Sequence, residues 1–133
     1  MWRWVWGAVL ATALGGAACA ADRPEGLWVS QSGNVVVQIG PCGPVLCGRV
    51  IRVMGNNAMT GPGPSASAPA RVGLLVMSGF TPSGDGRWTG KIYNREDGRT
   101  YDCVITPSGH TMQVRAYVLF PVFGKSQTWT RAG

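Results

Sequence analysis

Residues 90–106 read GKIYNREDGRTYDCVIT, and the fold turns on this stretch. Residues 91–94 and 99–106 carry Tyr, Ile, Val and Thr, and Arg95-Glu96-Asp97-Gly98 separates them. Asp-Gly between two such runs predicts a β-hairpin, because both residues tolerate the positive φ of a tight turn. At period two, Trp88, Gly90 and Ile92 share one face, and Arg87, Thr89 and Lys91 share the other. Beyond the turn, Tyr101, Cys103 and Ile105 are expected inward, with Thr100, Asp102 and Thr106 outward. One apolar face and one polar face describe an antiparallel sheet that is wet on one side.

The same rule extends in both directions. Residues 111–119 place Met112, Val114, Ala116 and Val118 inward against Gln113 and Arg115, and residues 126–131 end the chain around Trp129. On the other side, residues 72–80 form an apolar run ahead of the turn Ser83-Gly84-Asp85-Gly86. Residues 45–54 read as a strand whose pattern lets either face point inward. Val35, Val37 and Ile39 share a face, and residues 27–31 make a short first strand before Ser32-Gly33-Asn34. Residues 55–70, GNNAMTGPGPSASAPA, break the pattern and predict a flexible loop with little apolar area to bury. About eight strands with no helix to cover their apolar faces leave a sandwich or a barrel. Because closure also removes exposed edges, the expectation is a small all-β, antiparallel up-and-down barrel.

The first residues fall outside that pattern. Residues 1–21 hold one Arg, an apolar run over 7–18 and the small-residue end Cys19-Ala20-Ala21. These are the parts of a secretory signal peptide, removed after Ala20 or Ala21. The run is shorter than the ~20 residues a spanning helix needs, so no membrane span is expected. A lipid anchor on Cys19 is the alternative, although Gly16 stands where a lipoprotein box usually has Leu. The protein is then periplasmic or secreted, with residues 22–133 as a single domain.

Charge and chemistry narrow the function. The chain carries a formal charge of +6. Its Arg49, Arg52, Arg71, Arg87, Arg99 and Arg115 are scattered without a basic block, which argues against nucleic acid. Cys42 and Cys47 flank Gly43-Pro44, and strands meeting at that turn would bring the two sulfurs together. An export compartment preserves such a disulfide, which should contribute ~2 kcal/mol across so short a loop. The rival zinc reading lacks further ligands, so no metal is expected. Cys103 reads as a buried, inert thiol, and His110 sits apart in the turn Pro107-Ser108-Gly109-His110. Asp85 and Asp97 belong to turns, Glu25 and Glu96 are the only Glu, and no inward carboxylate pair is formed. Gly61-Pro62-Gly63 lacks the Lys and helix of a phosphate loop. Neither catalysis nor a cofactor is expected.

In a closed meander the first and last strands are neighbours. Gly26 and Trp28 near the start, with Arg131 near the end, would set a guanidinium over an indole, worth ~0.5–2 kcal/mol. This trio resembles the structural signature of lipocalin-like, or calycin, barrels. More of the chain matches one family. Gly26-Leu-Trp28, Cys42, Leu46-Cys-Gly-Arg-Val50, Gly90-Lys-Ile-Tyr-Asn94, Glu96-Asp-Gly98, Thr100-Tyr101 and Gly124-Lys-Ser-Gln-Thr-Trp-Thr-Arg131 resemble the exported domain-of-unknown-function family 2147. The resemblance implies a small lipocalin-like barrel in the bacterial envelope, without an established activity. Arg95 stands where the family usually has Pro, and Asn56-Asn57 leads into the Gly/Pro/Ser/Ala tract instead of an Asn-Pro-Asp type segment.

Two functional classes follow. One is a binder of a small apolar molecule, its interior lined by Trp28, Trp88, Tyr101, Met112, Val114 and Trp129. The other is an envelope interaction or structural module, a barrel filled by its own side chains. There Tyr117, Leu119, Pro121, Val122 and Phe123 would offer a surface to a protein partner.

Overall fold

A computed structural model of the chain describes residues 22–55, 70–120, 122 and 124–133. The expected leader at 1–21, most of the expected 55–70 loop, and Pro121 and Phe123 lie outside the described residues. The strands are β1 (Gly26–Val29), β2 (Val35–Cys42), β3 (Val45–Val53), β4 (Leu75–Gly84), β5 (Arg87–Asn94), β6 (Arg99–Ser108), β7 (Thr111–Tyr117) and β8 (Gly124–Arg131). Each pairs antiparallel with the next, and β8 returns to β1 through Trp28↔Arg131 and Val29↔Thr130, closing an eight-stranded barrel. The β5–β6 hairpin runs in unbroken register from Trp88↔Ile105 to Asn94↔Arg99, with residues 95–98 as its turn.

Alternation decides what fills the interior. Trp28, Val37, Ile39, Leu46, Val50, Ile92, Cys103, Ile105, Met112, Val114 and Trp129 are buried, joined by Met77 and Phe80 from β4. For β3, whose pattern allowed either face, the inward set is Leu46, Gly48 and Val50. Outside, Lys91 on β5 and Asp102 on β6 form a cross-strand ion pair. Two boundaries differ from expectation. Val118 is 53% exposed instead of inward. The ladders on both sides of β7 end at Tyr117, paired with Asp102 and Gly124, so no neighbour holds the next residue in the pleat. Likewise β4 starts at Leu75, because Val72 and Gly73 form a turn that bonds back to Val50 O.

Antiparallel order gives the barrel two unlike ends. One holds the turns at 43–44, 85–86 and 109–110 and the last strand's end; the other holds 30–34, the end of β3 and the start of β4, 95–98 and 118–120. Arg131 closes the first end. Its guanidinium lies 4.2 Å from the centre of the Trp28 ring, while Nε donates to Gly109 O at 3.1 Å. Nη1 and Nη2 donate to Glu25 O at 3.1 Å and Arg23 O at 3.0 Å. Beneath it, the fully buried Trp28 donates Nε1–H to Pro24 O at 2.8 Å. Cys42 and Cys47 are disulfide-bonded at this end, with Cα atoms 5.6 Å apart.

Candidate functional site at the open end

The β5–β6 turn, on which the sequence reading rests, emerges at the other end and builds one wall of a recess. Asn94 Oδ1 accepts from Glu96 N at 2.8 Å, and Gly98 N donates to Asn94 O at 2.8 Å. Asp97 Oδ1 accepts from Arg99 N at 2.9 Å, and its other oxygen accepts the Tyr101 hydroxyl. The turn is thus tied by its own side chains, as Asx turns are, and the Tyr101 ring is fixed in place. That hydroxyl bond holds the Asp97 carboxyl below its ordinary range and pushes the Tyr101 phenol up. At neutral pH the pair is a carboxylate and a neutral phenol.

The recess measures about 540 Å³ and opens to solvent between β5 and β8. Ile92, Tyr101, Ala116 and Val118 supply apolar wall, and Asn94, Glu96, Asp97, Lys125 and Gln127 supply polar groups. This volume falls in the ~300–1,000 Å³ range of small-molecule sites. Adjoining it is a chamber of about 60 Å³, which shares Ile92, Tyr93 and Gln127 with the recess. Val35, Val37, Val50, Leu74 and Trp129 line it together with Ser30, Ser32, Asn34 and Arg95, whose Nη2 is buried. Gln127 Oε1 accepts from Trp129 Nε1 at 3.0 Å, which orients the amide between the two spaces. The chamber has room for a few waters only, so a ligand of any size would occupy the recess.

Of the six residues expected to line a ligand space, Tyr101 lines the recess and Trp129 the chamber. Trp28, Met112 and Val114 are packed in the core, away from both. Trp88 is half-buried against the core, with Arg23 5.7 Å from its ring centre. The sequence reading missed Asn94, Ala116, Lys125 and Gln127 as a group, although all four occupy inward positions of their strands' alternation. Polar residues near strand ends look like surface until closure turns four ends toward one opening.

Burial pushes the Cys103 thiol up to about 12. Among the described residues, no three His, Cys, Asp or Glu come together in a way that could hold a metal ion. No helix among them is long and apolar enough to cross a membrane.

Searches among curated proteins and among solved structures gave no match to the chain. Residues 26–131, which take in all eight strands, the Arg131–Trp28 closure and the open-end recess, match the family described as an uncharacterized protein conserved in bacteria (DUF2147), and the chain belongs to that family.

Proposed function

We propose that this protein is an exported, non-catalytic binder of a small, largely apolar molecule in the bacterial envelope, held in the recess at the open end. One observation carries the reading. The interior is packed at the Trp28 end, while a recess of about 540 Å³ with apolar walls opens at the other. A site that is concave, mostly apolar and rimmed by a few polar groups suits binding. The perturbed groups point away from catalysis. Asp97 is held ionised, the wrong direction for a general acid, and Cys103 is held protonated, the wrong direction for a nucleophile.

Native mass spectrometry of the protein recovered from the periplasm tests this. The expected result is a stoichiometric apolar adduct that is lost on denaturation and absent from Ala116→Trp, whose side chain would fill the recess. An apo mass, with no uptake of an apolar fluorescent probe by the unmodified protein, would overturn the reading.

A further inference from the structure

Among the described residues, every large hydrophobic side chain that is exposed sits toward the open end of the barrel. Val118, Leu119, Phe120 and Val122 expose 53%, 77%, 62% and 74% of their surface on the connection from β7 to β8. The others, headed by Val72 at 66% and Met54 at 46%, lie where β3 ends and β4 begins. In the closed order β3–β4 and β7–β8 face each other across the mouth. The apolar groups therefore make two ledges on opposite sides of one opening.

Charge follows the same asymmetry. Arg52 pairs with Val36 near the end of β3, Arg71 precedes β4, Arg99 begins β6 and Lys125 is the second residue of β8. All four are exposed. With Arg95, they outnumber Glu96 and Asp97 in the turn between β5 and β6, while Asp102, level with the end of β7, is neutralised by Lys91. At the closed end Arg23, Arg87 and Arg131 balance Asp22, Glu25 and Asp85. Three of the six arginines that look scattered along the chain, Arg52, Arg71 and Arg99, are thus brought to the mouth, interleaved with the apolar ledges.

We infer that the open end of this barrel docks on an anionic membrane surface, with Val118, Leu119, Phe120 and Val122 entering the lipid interface. Apolar groups that enter the interface and cations that meet anionic headgroups are the two components of reversible membrane binding. A second copy of the chain fits poorly, because a symmetric pair would set cationic rim against cationic rim. An acidic protein would have to straddle the opening and cover ledges on both sides. Leu119, at a φ of 68°, also turns consecutive side chains of the connection in different directions. A lipid interface accepts such splayed groups, whereas a packed protein face must match each one. Val118 and Lys125 also line the recess, so a docked barrel presents that recess to the bilayer. The docking itself does not depend on whether the recess is loaded.

The test uses the exported protein and two tryptophan reporters, Phe120→Trp at the connection and His110→Trp at the closed end, with vesicles of phosphatidylglycerol and brominated phosphatidylcholine. Relative to the unmodified protein, whose Trp28, Trp88 and Trp129 give a common background, the emission added by Phe120→Trp should be quenched and that added by His110→Trp should not, with weak partitioning to vesicles of phosphatidylcholine alone. Arg52→Gln and Lys125→Gln should each lower partitioning roughly fivefold at low salt. Leu119→Ser with Phe120→Ser should lower it by ~10-fold or more. The unmodified protein's failure to bind anionic vesicles would overturn the inference, as would equal quenching of both reporters. A concentration-dependent dimer that Leu119→Ser dissolves would assign the ledges to a second copy instead. Retention on immobilised polyglutamate without vesicle binding would assign the surface to an acidic protein.

Discussion

At Arg131 a single guanidinium meets an indole face and the carbonyls of Gly109, Glu25 and Arg23. The planar fork makes this set of contacts available, and charge alone does not. Arg131→Lys keeps the charge but offers one compact donor, so at least one carbonyl loses its partner. We expect a loss of ~2 kcal/mol, read as a lower urea midpoint with an unchanged slope. Cys103 gives a residue-scale prediction in pH. Its thiol is raised from 9.0 to about 12 by burial, so below pH 9.0 both folded and unfolded chains keep the proton and nothing changes. Between those values the unfolded chain gives up the proton first, and stability falls with rising pH by ~1.4 kcal/mol per unit. Urea midpoints at about pH 8 and pH 10 should show this loss, and Cys103→Ala should lack that component.

At the scale of elements, the hairpin that identifies the fold also contains a glycine with no room for a side chain. A Cβ on Gly90 would stand 2.7 Å from the Phe80 ring and 2.7 Å from Ser78 O, and Phe80 is only 1% exposed. Nothing there can give way cheaply, so Gly90→Ala should cost ~1–3 kcal/mol. Gly98, at a φ of 72° with open space around it, should cost nearer ~1 kcal/mol on the same change. Thermal midpoints of the two variants should fall in that order. The contrast shows what was legible in the sequence. Alternation places Gly90 inward, and Asp97-Gly98 announces the turn, because both are local properties. The clash with Phe80 arises from β4, whose pairing shifts register between Ser78 and Thr81 opposite Lys91 and Thr89. That irregularity has no local signal. Extending alternation to Val118 fails for a related reason, since the end of β7 is set by where β6 and β8 stop pairing. Tyr101 could be read as facing a ligand space, but Lys125 and Gln127 could not, because closure alone makes strand ends into a mouth.

Taken as a whole, the barrel is stabilised at one end and offers its surface at the other. Trp28, Arg131 and the Cys42–Cys47 disulfide lie together at the closed end, while the recess, the apolar ledges and the cationic rim share the open end. Opening free energies within one domain follow burial and hydrogen bonding, so amide exchange should report this polarity directly. Amides paired between β6 and β7, around Cys103↔Ala116 and Ile105↔Val114, should exchange slowest, near the limit set by global unfolding. Residues 31–34, 95–98 and 118–120 connect strands at the mouth and should exchange orders of magnitude faster. Anionic vesicles should then slow exchange at 118–120 and leave the 109–110 turn unchanged. A recess ligand without lipid should slow 95–98, where Asp97 fixes the Tyr101 wall, with little effect on exposed Leu119 and Phe120. Peptide-resolved hydrogen exchange under the two conditions separates loading of the recess from docking of the ledges. Uniform protection across both ends would show that the barrel responds as one unit and that its polarity has no functional meaning.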